Sequence, residues 1–285
     1  MMTQPLPIAG ARQFAESVNS SPIPVPILTY HSLDNSASAI SVAPSAFGDQ
    51  MDCLADIGAR GISLADAAAH LAANGAWPER CAVLTFDDGY ANTYEVALPI
   101  LARHGFSATV FVVTGFVNRT IDWRWPGRWQ RQPAPLTWNQ VREFCAAGLE
   151  IGCHTVTHPD LRWLSPAAAE DEIVGARNEI EDRIALPVET FAYPFGLVGA
   201  AASSIARREF RAACTTELQR ARRQPLWALP RVDMYYIRST ELLTRLIHGR
   251  LDRYLAARRW ARRLRRTVLP RAFAAGGRPT RAQMS

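Results

Sequence analysis

Two adjacent carboxylates, Asp87 and Asp88, close the apolar run Cys81-Ala-Val-Leu-Thr-Phe86. Neighbouring carboxylates repel, and both stay ionised only where a cation or a donor compensates one of them. An Asp-Asp-Gly turn can equally be a solvated loop, so the pair alone does not decide. A second signal is His154-Thr-Val-Thr-His158. Its four-residue spacing predicts two imidazoles on one face of a helical turn, able to share a metal. Two His joined by one Asp from another strand end leave coordination positions open for water and substrate, which marks catalytic rather than structural sites. A third signal is Phe191-Ala-Tyr-Pro-Phe-Gly196. Its Pro and Gly either do ordinary turn work or hold the backbone N–H of Phe195 toward a developing oxyanion.

Such residues need strands to deliver them. The run Cys81–Phe86 reads as a buried parallel strand whose C-terminal end carries polar groups. Pro26–Tyr30 predicts a short buried strand ending at His31. Helix and strand then alternate: a helix at 46–58, a helix over Tyr94–His104, a strand over Ala108–Val113, a helix over Trp138–Ala147 and a strand over Leu149–Gly152. A long acidic helix over Pro166–Ile184 and a strand over Thr190–Tyr193 follow. Chemical residues at strand ends argue for an α/β barrel with its site on the C-terminal face. Residues 122–135, rich in Trp and Arg, break the rhythm and read as a loop inserted near a substrate groove. The expected organisation is a loose lead-in at 1–24, a catalytic domain at 25–239, and a basic helix and tail at 240–285.

Composition narrows the class. The chain has no Lys, and its 12 Arg between Arg245 and Ser285 face one acid, Asp252, giving that stretch +11 and the remainder −5. The overall basic balance therefore says little about the ligand of the body. No nucleic-acid fold motif accompanies the charge, so no nucleic-acid partner is expected. Five Cys without C-x-x-C pairing read as buried thiols in a reducing compartment. Met1–Ala9 lacks a basic n-region and an apolar h-region, and no apolar stretch can span a bilayer, so the expected location is cytoplasmic. Apolar residues recur at helical spacing from Leu243 to Val268 beside six Arg from Arg258 to Arg266. That pattern reads either as a solvated helix or as one reaching an anionic membrane face.

Thr85-Phe-Asp-Asp-Gly89, His154-Thr-Val-Thr-His158 and Phe191-Ala-Tyr-Pro-Phe-Gly196, in this order, resemble the NodB-homology polysaccharide deacetylases, a carbohydrate esterase type. Ala108-Thr-Val-Phe111 and Gly148–His154 add to the resemblance, which runs from about Pro26 to Asp233. It implies a distorted (β/α) barrel of fewer than eight units and one divalent ion, Zn²⁺ by expectation, on Asp88, His154 and His158. Asp87 would be the general base, and Phe195, with Tyr193 and Pro194 before it, would meet substrate and oxyanion. The substrate would be an acetylated glycan that releases acetate. The same scaffold leaves open an O-acetyl ester, a small cyclic amide, or an inactive glycan-binding module.

Two departures stand out. The family's third motif often begins with Arg, where this chain has Ala192. Arg231, in Leu229-Pro-Arg-Val-Asp233, is the candidate to orient the base from another strand, with Asp233 beside it. The family's late general-acid His has one counterpart here, His248, inside an expected helix over Thr240–Ala257. Thr29-Tyr-His31 instead resembles the poly-N-acetylglucosamine deacetylase branch, which assigns the general acid to His31. His70 and His104 have no motif around them.

Overall fold

The computed structural model describes residues 24–36, 38–119, 133–222 and 224–268. The expected lead-in, most of the 122–135 segment and the chain after Val268 lie outside the described residues. Seven parallel strands close a ring: β1 (Ile27–Tyr30), β5 (Cys81–Phe86), β6 (Thr109–Val112), β7 (Glu150–Cys153), β8 (Thr190–Ala192), β9 (Ala212–Leu218) and β10 (Leu229–Asp233). Closure comes from β1, which pairs with β10 on one side and with β5 on the other. A further strand, β4 (Arg60–Ile62), pairs with the first half of β5, and β2 (Ser32–Leu33) pairs with β3 (Ser41–Val42) above the ring. The barrel is therefore (β/α)-like with fewer than eight units, as the motifs imply.

The continuous apolar run of β5 is explained by burial on both faces. Alternate residues go to different cores. Ile27, Val83, Phe111, Ala192, Cys214 and Leu229 point into the lumen, while Leu28, Leu84, Val110, Phe191, Ala213 and Val232 point outward. The outer layer consists of α1 (Pro44–Asp56), α3 (Leu98–His104), α4 (Trp138–Ala146), α5 (Pro166–Ile184), α6 (Ala200–Glu209) and α7 (Thr240–Ile247). The lower mouth is plugged by α2 (Leu64–Asn74), which packs Leu64, Ala67 and Ala68 against the lumen residues. Its first amides donate to the Thr109 hydroxyl at 2.8 Å and the Glu150 carboxylate at 2.9 Å. The upper, C-terminal mouth is left for chemistry.

Two elements differ from expectation. Residues 93–104 do not form one α-helix: Thr93–Ala97 is a wider π-turn before α3. Pro99 has no N–H to give to the carbonyl four residues back, so the regular ladder starts late. The helix expected over Thr240–Ala257 is broken. Gly249, at φ +75°, ends α7, and α8 (Asp252–Val268) starts in a new direction. A side chain at Gly249 would sit 3.2 Å from the Arg220 guanidinium, which holds Asp252 by two bonds of 2.9 Å. Leu243, Leu246, Leu251 and Leu255 all lie in the outer core, so the packed body continues beyond the expected boundary at 239. No helix among the described residues is long and apolar enough to cross a membrane.

Candidate active site

Strand parity explains how the site assembles. Thr29, Thr85 and Arg231 face the lumen, so the next residue of the same parity at the upper end of β1 and β5 is His31 and Asp87. On β7 the outward-facing Ile151 and Cys153 leave His154 on the lumen side. Side-chain period two thus aims residues from four strands at one point.

Asp87 is 3% exposed and Arg231 1% exposed. Arg231 grips the carboxylate with both arms of its fork, Nη1 to Oδ1 at 2.7 Å and Nη2 to Oδ2 at 2.6 Å. Its Nε donates to the Thr215 carbonyl at 3.0 Å, and Nη1 also donates to the Thr85 hydroxyl at 3.2 Å. A bidentate guanidinium fixes the carboxylate plane as well as its charge. Burial, the largest single influence, would raise Asp87, but the Arg231 charge and hydrogen bonds together with His154 and His31 outweigh it and hold the carboxyl below its ordinary range. The lumen has room for this Arg, the largest fully buried side chain, because Ala192, Ala212 and Cys214 are small. His31 Nε2 stands 3.9 Å from Asp87 Oδ2, the oxygen that Arg231 Nη2 also holds.

Asp88 points elsewhere because its backbone turns left-handed, φ 71°. Non-Gly residues adopt that region at a cost, and here it turns two neighbouring carboxylates toward different partners. Asp88 Oδ1 lies 3.5 Å from His154 Nε2 and 3.6 Å from His158 Nε2. These separations are long for hydrogen bonds. They match the spacing of about 3.3–3.6 Å between ligands placed tetrahedrally around an ion with bonds near 2.0–2.2 Å. The three donor atoms form a buried group able to hold a metal. Supporting contacts prepare each donor. His154 Nδ1 bonds the Ala192 carbonyl at 2.7 Å, which makes it the N–H and leaves the Nε2 lone pair for a ligand bond. Burial, with His154 beside it, pushes His158 down to about 3, so it is a neutral donor at ordinary pH. Burial raises Asp88, yet His154 and His158 hold it below its usual range, ionised.

The histidines do not share a helical turn. Residues 154–158 form a loop with left-handed Thr155 (φ 70°) and His158 (φ 57°). Its amides are tied to Glu172 of α5 rather than to carbonyls four residues back. Val156 N–H donates at 3.0 Å, Thr157 N–H at 2.8 Å and the Thr157 hydroxyl at 2.6 Å. The His158 amide donates to Thr155 Oγ1 at 2.9 Å.

The turn after β8 brings Phe195 to the mouth, its ring edge-on to His158 at 4.6 Å. Phe195 is left-handed (φ 58°), and a side chain at Gly196 would strike Thr216 at 2.2 Å, so only Gly fits there. Pro194 has no N–H to offer. Tyr193 belongs to the barrel wall: it is fully buried and its hydroxyl donates to the Trp227 carbonyl at 3.0 Å. Asp233 accepts from the Tyr235 amide at 2.9 Å and starts the turn after β10. His248 is exposed at the end of α7, bonded to the Thr244 carbonyl, in the outer helix layer. His104 pairs with Asp52 at 2.8 Å on the surface, and His70 meets the Ala76 carbonyl.

Three contributors escaped the sequence reading. Tyr90, buried beside the pair, gives its hydroxyl to Asp88. Glu172 and Thr85 act from positions that look like an ordinary acidic helix and an ordinary strand. Of the 122–135 segment, the described end returns to the site: Leu136 N–H donates to the Gly89 carbonyl at 2.8 Å, and Ala91 N–H to Ala134 at 2.7 Å.

A family model described as polysaccharide deacetylase matches residues 74–209. YxkH of Bacillus subtilis, itself assigned to the polysaccharide deacetylases, is 28% identical over 213 residues, 74% of this chain and 71% of that one. The poly-beta-1,6-N-acetyl-D-glucosamine N-deacetylase of Escherichia coli is 29% identical over 134 residues, 45% of this chain but 20% of that protein. The structure of the Streptococcus pyogenes deacetylase PplD in complex with acetate superposes with a TM-score of 0.70 at 27% identity, covering 80% of this chain and 99% of PplD. Motifs, barrel and relatives agree: residues 74–209 match a polysaccharide deacetylase domain, and the chain around them is similar to polysaccharide deacetylases in sequence and fold.

Proposed function

We propose that this protein removes acetyl groups from an N-acetylated polysaccharide or oligosaccharide by metal-dependent hydrolysis. One observation carries the reading: a buried Asp-His-His donor set stands beside a separate carboxylate kept ionised by a buried Arg. The acetate held by the 27%-identical PplD supports an acetyl product. Asp88, His154 and His158 would hold a divalent ion, Zn²⁺ by its preference for such donors. Bound there, the ion supplies a Lewis acid and lowers the pKa of water.

The chain's own groups supply the rest. Asp87, ionised and unable to rotate in the grip of Arg231, takes the proton of the attacking water. The Phe195 amide, held in a strained turn, is assigned to the developing oxyanion. His31, with Nε2 3.9 Å from Asp87 Oδ2, gives a proton to the departing amine as the C–N bond breaks. Acetate and a free amine leave, and the proton count balances over Asp87 and His31.

Asp88→Ala, His154→Ala and His158→Ala are each expected to take bound metal well below one ion per chain, read by elemental analysis of the purified protein. Full occupancy in all three would remove the basis of the proposal. The acid is tested separately. His31→Ala is expected to lower kcat with metal content intact, while His248→Ala, altered far from the mouth, leaves kcat unchanged. The opposite ranking would move the acid to the late position.

A further inference from the structure

The first turns of α8 bury Leu255 in the outer core. Beyond it the helix is inverted relative to an ordinary surface helix. Over Asp252–Val268 it carries seven Arg against one acid. The face toward the barrel is built from several of these Arg, because the end of β9 offers acceptors there. Arg263 donates to Glu217 at 2.8 Å, Arg259 bonds Gln219, and Arg262 reaches the Thr216 carbonyl at 3.4 Å. Arg262 and Arg258 also lie over the Tyr236 ring, at 5.7 and 5.9 Å. The opposite face is apolar and faces solvent. Ala257, Trp260, Ala261 and Leu264 recur at i, i+3, i+4 and i+7, all exposed, with Trp260 at 66% and Leu264 at 41%. Exposed Arg253 lies on this stripe, four residues before Ala257, and exposed Arg258 and Arg263 flank it from the edges of the barrel-facing side.

We propose that this face of α8 docks on an anionic lipid surface. A Trp-containing apolar stripe beside cationic side chains is the composition that settles at a lipid headgroup boundary. Arg near such a surface gains attraction that salt screens. A second copy of the chain fits less well, since packing two such stripes face to face would bring together the exposed Arg253 of each, four residues before Ala257 on the same face. The position of the helix gives the docking a use. Arg262 holds the carbonyl of Thr216, whose hydroxyl donates to the Phe195 carbonyl at 3.1 Å. The lipid-facing helix therefore borders the catalytic mouth. If the deacetylase reading holds, the substrate it favours is a glycan presented at the lipid surface rather than one free in bulk water.

The test is co-sedimentation of the full chain with vesicles of phosphatidylcholine alone and with phosphatidylglycerol added. The expected result is binding to the anionic vesicles only, released by high salt. In Trp260→Ser/Leu264→Ser the partition coefficient should fall on the order of tenfold or more, from the apolar area withdrawn. Acetate release from a soluble chitooligosaccharide should be unchanged in that variant, since neither residue touches the mouth. Equal sedimentation of variant and wild type, equal binding to neutral vesicles, or no binding at all would overturn the proposal. A wild-type dimer in analytical ultracentrifugation that the variant loses would overturn it too, assigning the face to a second copy. Absence of acetate release from both proteins would count against the deacetylase reading and leave the docking result standing.

Discussion

Asp87→Asn is expected to lower kcat on an N-acetylated oligosaccharide on the order of 10²–10⁴-fold, the loss of a positioned general base, while metal content stays at the wild-type level. The reasoning is geometric. Asp87 gives both oxygens to Arg231 and lies across from His31, whereas Asp88 turns away toward the two imidazoles. An amide keeps the shape of the carboxylate but accepts no proton from water. Arg231 loses its counter-charge in this variant, so thermal stability drops as well, and kcat is measured well below the new Tm. Loss of metal from Asp87→Asn would show that the two carboxylates have been assigned the wrong way round.

The second large effect is on stability. Arg231→Met should destabilise the protein by about 3–5 kcal/mol, the cost of leaving one partner of a buried ion pair uncompensated. Asp87 sits at 3% exposure, and among the described residues only His31, 3.9 Å from one oxygen, pairs with it besides the fork that spans both. Arg231→Lys restores charge but not the two parallel bonds, so it should recover only part of the loss. The double variant Asp87→Asn/Arg231→Met should be more stable than Arg231→Met alone, because no charge is then stranded in the lumen. Denaturant unfolding of wild type, Asp87→Asn, the two Arg231 variants and the double variant measures this. Additive effects of the two single changes would mean that the pair is not coupled and that something else anchors Asp87.

The sequence carried much of this design, for physical reasons. Cys81–Phe86 and Pro166–Ile184 were legible to the residue, because a doubly buried strand must be apolar throughout and a helix opened by Ser-Pro has a sharp start. Asp88, His154 and His158 announced themselves by type. Their route together did not. A four-residue spacing suggests a helix, yet two left-handed residues and Glu172 of α5 make the approach, and nothing local in an acidic helix marks one Glu as an anchor. Ala192 looked like a deficit in its motif. The same small side chain gives Arg231 lumen space from a strand that follows about forty residues later. The break at Gly249 was hidden because apolar spacing continued on both sides of it, and periodicity does not register a change of axis.

Closure of the ring by β1 also sets an order of events for a chain emerging from the ribosome. β10 lies between β1 and β9, and it carries Arg231. Every candidate metal donor and Asp87 itself are translated well before it. Until those last strands arrive the lumen cannot shut, and the carboxylate must stay hydrated, since burying it unpaired would cost several kcal/mol. Contacts so distant in sequence are made late and slowly. Asp87, the proposed base, is therefore withheld from its buried environment until the barrel is complete, and a nascent or truncated chain that stops short of β10 carries the motif residues without Asp87's Arg231 partner.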